Sequence, residues 1–317
     1  GSYSFSNNGN VNAKVKNAVS FANGMNLSGM DVENLFYLQA GQLDLGANAA
    51  LTNHLNQMDI IISNGGLTLD GVLNKTIENE NDLAANMTLD VSGQFVADSV
   101  GNQGNSLTVD AGTIVVKNSV TGIAGGTTKL MASSAPVNSV PTLDIQGALS
   151  NSGNMVLNGQ YVQVNSAVNN GNSMQITSLT SDAGKIVVAG DIANSAGTTT
   201  VWARDVTVGG SLVNNGGTVN LYASDTRGGA VQLGAVEAKA GVTNLNALAG
   251  QIGVDGNVTV SQAIDETGAL NILSSVHNMT VGGNVHVIGD FNASSVAATG
   301  NGNMNVMAAH TAGFALE

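Results

Sequence analysis

Residues 210–223, GSLVNNGGTVNLYA, decide the fold of this chain. They join an Asn-Gly corner, NNGG, to a segment in which apolar and polar residues alternate, TVNLYA. Alternation with a period of two is typical of a β-strand that buries one face. Asn and Gly tolerate the positive φ angles that a sharp corner requires. The stretch therefore predicts a tight corner followed by a short strand.

Similar stretches recur along the chain, as in GALSNSGNMVLNGQ at 147–160 and GDIANSAG at 190–197. A second recurring pattern is an apolar residue, any residue, Leu or Val, and then Gly, Asp, Ala or Asn. It ends at Gly46, Asp70, Asp90, Asp110, Asp144, Asn165, Ala189, Gly209, Gly234, Asp255 and Gly282. A repeat at this interval indicates stacked coils of about 20–25 residues.

Each coil should contain a second strand, marked by an apolar residue four positions after a glycine. These residues are Leu130, Leu157, Val201, Leu221, Leu245 and Ile272. Asn151, Asn194 and Asn214 also follow a glycine by four positions, and we expect their amides to stack in the corners. Parallel strands cannot be joined by tight hairpins, so all coils must wind in one sense. The predicted fold is all-β, a right-handed parallel β-helix (β-solenoid).

We expect the solenoid to occupy residues 46–310, with an inserted loop around 120–141 that contains Pro136 and Pro141. Residues 1–45 hold many of the few aromatic residues and a weak repeat, which predicts an N-terminal cap or irregular first coils. Gly1-Ser2 and the closing Leu316-Glu317 look like remnants of cloning. The chain is therefore expected to be a piece of a longer exported protein.

The composition excludes several kinds of partner. Charged residues make up 10% of the chain, against about 25% in an ordinary globular domain. The net charge is −13 with only 9 Lys and Arg, which disfavours binding to nucleic acid or to an anionic membrane surface. The sequence contains no run of 18 or more apolar residues, so it predicts no segment that inserts into a membrane. The absence of Cys excludes disulfides and Cys-based metal sites.

The corners GALSNSGNMVLNGQ and GSLVNNGGTVNLYA resemble those of bacterial filamentous haemagglutinin-type and autotransporter passenger proteins. The resemblance extends over about residues 67–306. It implies a secreted or surface-displayed stalk, often adhesive, and it brings no fixed catalytic residues with it.

Three functions follow from these observations. The first is a non-catalytic adhesin or structural stalk, without cofactor, whose partner is a glycan or a surface protein of a host or neighbouring cell. The second is a carbohydrate-active enzyme or a phage tail fibre, which needs a groove with paired carboxylates and several aromatic residues. The third is a filament or surface-layer subunit that associates end to end or laterally. The four His, at 54, 277, 286 and 310, are scattered and favour no catalytic site.

The strongest candidate binding surface combines the only Trp of the chain with a Tyr and both Arg. Alternation in TTVWARD and VNLYASD predicts that Trp202 and Tyr222 point outward on adjacent coils. Exposed aromatic and Arg side chains are frequent anchors in binding sites. The predicted ligand-binding residues are Trp202, Arg204, Asp205, Tyr222, Asp225 and Arg227.

Asp70, Asp90 and Asp110 recur at a spacing of 20 residues in nearly identical contexts. If they stack one coil apart, about 5 Å separates neighbouring carboxylates. Two interpretations remain open: three carboxylates that end their strands in solvent, or a ladder that attracts a cation.

Overall fold

In a computed structural model, the chain is an all-β, parallel β-solenoid. The described residues form strands, turns and bends but no helix, which confirms the predicted fold class, while the hand of winding stays a prediction. The structure describes residues 11–20, 25–26, 35–44, 51–53, 55, 57–62, 67–68, 76–79, 86–133, 140–178, 183–223, 229–247, 252–260, 268–273, 279–281, 285–287, 290–292, 295–298, 304–306 and 315–316.

The chain divides into two compact units, Gly1–Tyr161 and Val162–Glu317. The first unit contains β1 (Val11–Ser20), β2 (Met25–Asn26), β3 (Leu35–Asp44), β4 (Leu51–Asn53), β5 (Gln57–Ile62), β6 (Leu67–Thr68), β7 (Thr76–Asn79), β8 (Asn86–Asn102), β9 (Ser106–Gly122), β10 (Thr127–Ala132), β11 (Thr142–Asn151) and β12 (Asn154–Gly159).

The remaining strands are β13 (Tyr161–Asn169), β14 (Ser173–Ser178), β15 (Lys185–Val188), β16 (Ile192–Asn194), β17 (Thr198–Ala203), β18 (Asp205–Ala223), β19 (Val231–Ala247), β20 (Ile252–Val254), β21 (Val258–Val260), β22 (Gly268–Leu273), β23 (Met279–Val281), β24 (Val285–Val287), β25 (Asp290–Asn292), β26 (Ser295–Ala298), β27 (Met304–Val306) and β28 (Ala315–Leu316).

Each coil of the second unit has three sides, and β18 runs along all of them. Its residues 206–208 pair with the start of β19, residues 212–214 with the middle, and residues 218–223 with the end. We name these sides the first, second and third face. The register shifts between the faces, where the chain turns a corner.

The predicted stack of apolar residues on the third face is confirmed. The register pairs are Val201–Leu221, Leu221–Leu245 and Leu245–Ile272 in the second unit, and Leu130–Leu157 in the first. Successive coils of the second unit are therefore 20, 24 and 27 residues long, close to the predicted interval.

The described core consists of thin layers of mostly aliphatic side chains, with Phe36 and Phe95 as buried aromatic residues. Along the third-face part of β18, the apolar residues of 218–223 are buried, whereas the polar residues and Tyr222 are half-buried. Leu221 and Val201 are completely buried. Because each layer repeats this alternation, apolar surface is removed from water continuously along the stack.

The strand pairing bears on two predicted boundaries, the segment 1–45 predicted as a cap or irregular first coils and the inserted loop around 120–141. Solenoid pairing begins before residue 46, because β1 pairs in parallel register with β3, and β3 with β5. The inserted loop is shorter than 120–141, because β10 pairs with β9 as an ordinary strand. The insertion lies between β10 and β11, where residues 134–139 are outside the described part of the chain.

Buried asparagines occupy the corner between the second and third faces. Asn169, Asn194 and Asn214 are register neighbours on successive coils, and all three are fully buried. Asn169 Nδ2 donates to Asn194 Oδ1 at 3.0 Å, and Asn194 Nδ2 donates to Asn214 Oδ1 at 3.2 Å. We name these three residues the asparagine ladder. The predicted stacking of Asn194 and Asn214 is confirmed, and Asn169 extends it.

The ladder ends by bonding to the next coil. Asn214 Nδ2 donates to the carbonyl oxygen of Val242 and to Oγ1 of Thr243. Thr199 Oγ1 donates to Asn194 Oδ1 at 2.9 Å, so this amide oxygen accepts from both a side-chain amide and a hydroxyl. Buried polar groups are tolerated only when hydrogen-bonded. The ladder satisfies that condition within the solenoid.

In the first unit the equivalent corner is interrupted. Asn102 and Asn151 are buried, but the residue that pairs with both is Gly122. Thr128 Oγ1 lies 3.1 Å from where a Cβ on Gly122 would be, and this buried hydroxyl has no hydrogen-bond partner. At Asn194 the corresponding hydroxyl, that of Thr199, bonds to the amide. The missing amide thus leaves one buried group unsatisfied.

Glycines at the start of the third face form a second column. Gly197, Gly217 and Gly241 have φ angles of 63, 75 and 70°. Backbone neighbours approach them closely: a Cβ on Gly217 would lie 2.2 Å from the carbonyl oxygen of Gly197. Each corner therefore needs glycine both for its φ angle and for its space.

We expect Gly217→Ala to lower the free energy of unfolding by about 1–3 kcal/mol, because alanine is strained at this φ and its Cβ meets a backbone oxygen. Gly190→Ala is the matched control. Its Cβ would lie 3.0 Å from the nearest atom, and the backbone there requires no left-handed conformation. Thermal unfolding followed by circular dichroism checks this; equal melting temperatures for the two variants would contradict the assigned strain.

Candidate functional site

The candidate surface lies on the outward side of the third face. Along β17 the side chains alternate between half-buried or exposed and fully buried. Val201 and Ala203 point into the core, as expected, and the ring of Trp202 between them points outward. Trp202 is 36% exposed, one of the few large apolar side chains among the described residues to reach solvent to this extent.

Trp202 and Tyr222 are direct register neighbours. The same outward column continues to Thr177 on the preceding coil and to Asn246 on the following one. Adjacent strands lie about 4.8 Å apart, so the two aromatic residues provide one continuous apolar strip flanked by small polar side chains. We name Thr177, Trp202, Tyr222 and Asn246 the aromatic column.

A second outward column of polar side chains runs beside the aromatic column. It contains Thr200, Asn220 and Asn244, which are register neighbours on successive coils. Asn244 Nδ2 donates to Asn220 Oδ1 at 2.7 Å. This bond fixes the orientation of the two amides. The surface therefore carries amide groups of defined direction beside the aromatic rings.

The sequence did not single out Asn246, which follows Tyr222 in the aromatic column. Its Oδ1 is shielded from solvent in the structure and has no hydrogen-bond partner. Such an oxygen is costly to leave unsatisfied. Only the register of the third face reveals its position, because Asn246 has no aromatic or charged neighbour in sequence.

Arg204 and Asp205 lie at the bend between β17 and β18. Arg204 Nε is 3.8 Å from Asp205 Oδ2, which is an ion pair but too long for a hydrogen bond. Both side chains are 39% exposed, so the pair stabilises the fold little. Asp205 Oδ1 accepts from the backbone N–H of Ala230 at 3.1 Å. Asp205 therefore holds the corner in addition to facing solvent.

The structure brings together four of the six predicted binding residues: Trp202, Tyr222, Arg204 and Asp205. The first two form the centre of the aromatic column, and the other two lie at the bend that follows Trp202. Asp225 and Arg227 are outside the described residues. Lys185 pairs with Asp205 across adjacent coils and adds a second positive charge near this bend.

The predicted ladder of three aspartates does not match the register of the strands. Asp90 pairs with Asp110 on one side, as expected, but with Ile61 on the other. Asp70 lies outside the described residues, and the strand just before it, β6, pairs with residues 95–96 of β8. The run is thus at most a pair, and Asp110 pairs with Met131 on its far side. Asp110 Oδ1 accepts a hydrogen bond from Ser133 Oγ.

The described residues give no support for a metal site. Within them, no three His, Asp or Glu side chains come together in a way that suits a metal ion. His286 lies on β24, paired with Thr259 and Asn305, and the other three His are outside the described part. Across the same described ranges, no helix is long and apolar enough to span a membrane.

No protein-family model matches the chain, and neither a curated protein nor a solved structure shows significant similarity to it.

Proposed function

We propose that this chain is a non-catalytic β-solenoid of a secreted or surface-displayed bacterial protein, and that it binds a glycan through the aromatic column. The adhesin or stalk role implied by the resemblance to haemagglutinin-type and autotransporter passenger proteins is part of the proposal. One observation carries it: Trp202 and Tyr222 are register neighbours on an outward face beside oriented asparagine amides.

The chemistry of this face suits a sugar. Trp and Tyr combine a broad apolar ring with a polar group, so they contact the apolar face of a sugar ring and still bond to its hydroxyls. The amides of Asn220 and Asn244 lie beside the rings and offer donors and acceptors to the same hydroxyls. The net charge of −13 disfavours an anionic polysaccharide. We therefore propose a neutral glycan as the ligand.

The buried polar groups support a structural role for the rest of the coil. Apart from Thr128, the described asparagines and threonines that point inward bond to one another and to the backbone, as in the asparagine ladder. They are engaged in holding the corners and are removed from solvent. Side chains that contribute to binding must therefore come from the outward columns, where the aromatic column places Trp202 next to Tyr222.

Trp202 is the only tryptophan, so its fluorescence reports directly on the proposed site. Titration with neutral oligosaccharides should give a saturable change in emission. Tyr222→Ala should weaken that binding at least tenfold, a typical cost of removing an aromatic anchor of about 1.4 kcal/mol or more. The fold should persist, because the side chain points outward and cross-strand pairs contribute only about 0.2–1 kcal/mol.

Val242→Ala is the matched control, since Val242 is 37% exposed on the third face but lies outside the aromatic column. A glycan or cell-binding assay on the double variant Trp202→Ala, Tyr222→Ala completes the test. Binding equal to that of the parent would reject the aromatic column. A parent that binds no glycan would reject the adhesive part of the proposal and leave a plain stalk.

A further inference from the structure

Among the described residues of the second unit, two corners place an exposed asparagine directly before a glycine: Asn170-Gly171 and Asn215-Gly216. In such a pair the glycine nitrogen loses its proton and attacks the side-chain Cγ of the asparagine. A new N–C bond closes a succinimide ring, the C–NH2 bond breaks, and ammonia leaves. Water then opens the ring to aspartate or isoaspartate. Asparagine is a thermolabile residue for this reason.

In both corners the N–H of the glycine whose nitrogen would attack already donates a hydrogen bond. The backbone N–H of Gly216 donates to Oδ1 of Asn214 at 3.2 Å, and that of Gly171 donates to Oδ1 of Asn169 at 3.2 Å. Asn214 and Asn169 are the buried members of the asparagine ladder. To react, each glycine nitrogen must give up this bond and turn towards the exposed side chain.

Bonds to the next coil hold in place the amides of Asn169 and Asn214, whose Oδ1 atoms accept from the glycines. Asn169 Nδ2 donates to Asn194 Oδ1 and to the carbonyl oxygens of Ala196 and Thr198 on the next coil. Asn214 Nδ2 is held by Val242 and Thr243 in the same way. Because the amide cannot rotate without losing these bonds, its Oδ1 stays directed at the glycine N–H.

We propose that the inward asparagines of the ladder protect the outward Asn170 and Asn215 from deamidation. In the Asn-Asn-Gly corner, the first asparagine holds the N–H that otherwise attacks the second. This inference does not depend on the proposed function. It matters for the fold because isoaspartate adds one methylene group to the main chain at a corner whose register repeats along the stack.

The first test uses the unaltered chain. Peptide mapping by mass spectrometry follows ammonia loss at Asn170 and Asn215 during incubation at mildly alkaline pH, in buffer and in concentrated urea. Both sites should react at least about fivefold more slowly in the folded chain, the factor expected for one hydrogen bond of ordinary strength. Equal rates with and without urea would overturn the proposal.

Two variants separate protection by the ladder from general rigidity. Asn214→Ala should speed deamidation of Asn215 about fivefold and leave Asn170 unchanged, whereas Asn169→Ala should do the reverse. Acceleration of both sites by either variant would show general loosening and overturn the proposal.

A third variant leaves the ladder intact. Ser152 is exposed between Asn151 and Gly153, and the N–H of Gly153 donates to Asn151 Oδ1 at 3.0 Å. Ser152→Asn creates a new Asn-Gly pair in this corner, and it should lose ammonia as slowly as the two natural pairs. If the new pair reacts in the folded chain at the rate measured in urea, the hydrogen bond gives no protection and the proposal is wrong.

Discussion

Leu221→Asp should lower the free energy of unfolding by at least about 4 kcal/mol, enough to abolish the native third face. Leu221 is completely buried and lies between Val201 and Leu245 in neighbouring layers. The substitution removes apolar volume from the core and places a carboxylate where all register neighbours are aliphatic. Loss of the cooperative thermal transition, followed by circular dichroism, is the expected measurement.

Asn220→Asp is the control for this prediction, because it introduces the same side chain one residue away on the opposite side of the strand. The outward Asn220 accepts from Asn244 Nδ2, and a carboxylate keeps that acceptor. We expect a cost below about 1 kcal/mol. Similar melting temperatures for the two variants would show that the register is displaced by one residue, since such a slip exchanges the faces.

Asn194→Asp should cost about 3–5 kcal/mol at neutral pH, although the two side chains have nearly the same shape. Asn194 Nδ2 donates to Asn214 Oδ1 and to the carbonyl oxygen of Gly216. An ionised aspartate presents acceptors to both oxygens and has no solvent to compensate its charge. Chemical denaturation of the variant and the parent measures the difference.

The destabilisation by Asn194→Asp should depend on pH. Burial without a positive partner raises the pKa of the new carboxyl in the folded chain above its unfolded value. The folded state then binds more protons between these two values, so the stability of the variant falls as pH rises through that interval. Asn170→Asp, on the exposed neighbour of Asn169, should show neither effect. A pH-independent loss of stability would contradict the burial of this charge.

The third face was predictable because glycine, corner and strand occur there at a fixed spacing. In residues 210–223 the glycine at 217 marks the corner, and Leu221 follows it by four positions in register with its equivalents on adjacent coils. Alternation then determines which side chains are buried. The neighbouring positions of Trp202 and Tyr222 follow from the same spacing.

The aspartate ladder was not predictable from the motif alone. The described coils have three sides, and the side chains on all of them alternate with the same period, so similar four-residue patterns arise on different faces. Asp90 and Asp110 lie on neighbouring coils of one face, whereas β6, just before Asp70, stacks on the part of β8 that follows Asp90. A spacing of 20 residues equals one coil only when both ends lie on the same face.

Asn169 was missed for a simpler reason. Asn151, Asn194 and Asn214 each follow a glycine by four residues, but the equivalent position before Asn169 is Asn165. A residue other than glycine thus occupies the position four before Asn169, while the buried amide of Asn169 is retained. Register in the structure therefore identifies the ladder member that the local motif leaves out.

The stacking of β15, β18, β19 and β20 has a consequence for how this chain acquires its structure. Each strand pairs with the segment one coil earlier, so a new coil needs only the exposed edge of its predecessor as a template. Order can then spread by addition at an edge, as in the growth of a crystal, once a first few coils have nucleated. A chain that emerges end first from a narrow pore can thus fold continuously as it emerges, without waiting for residues that are still inside.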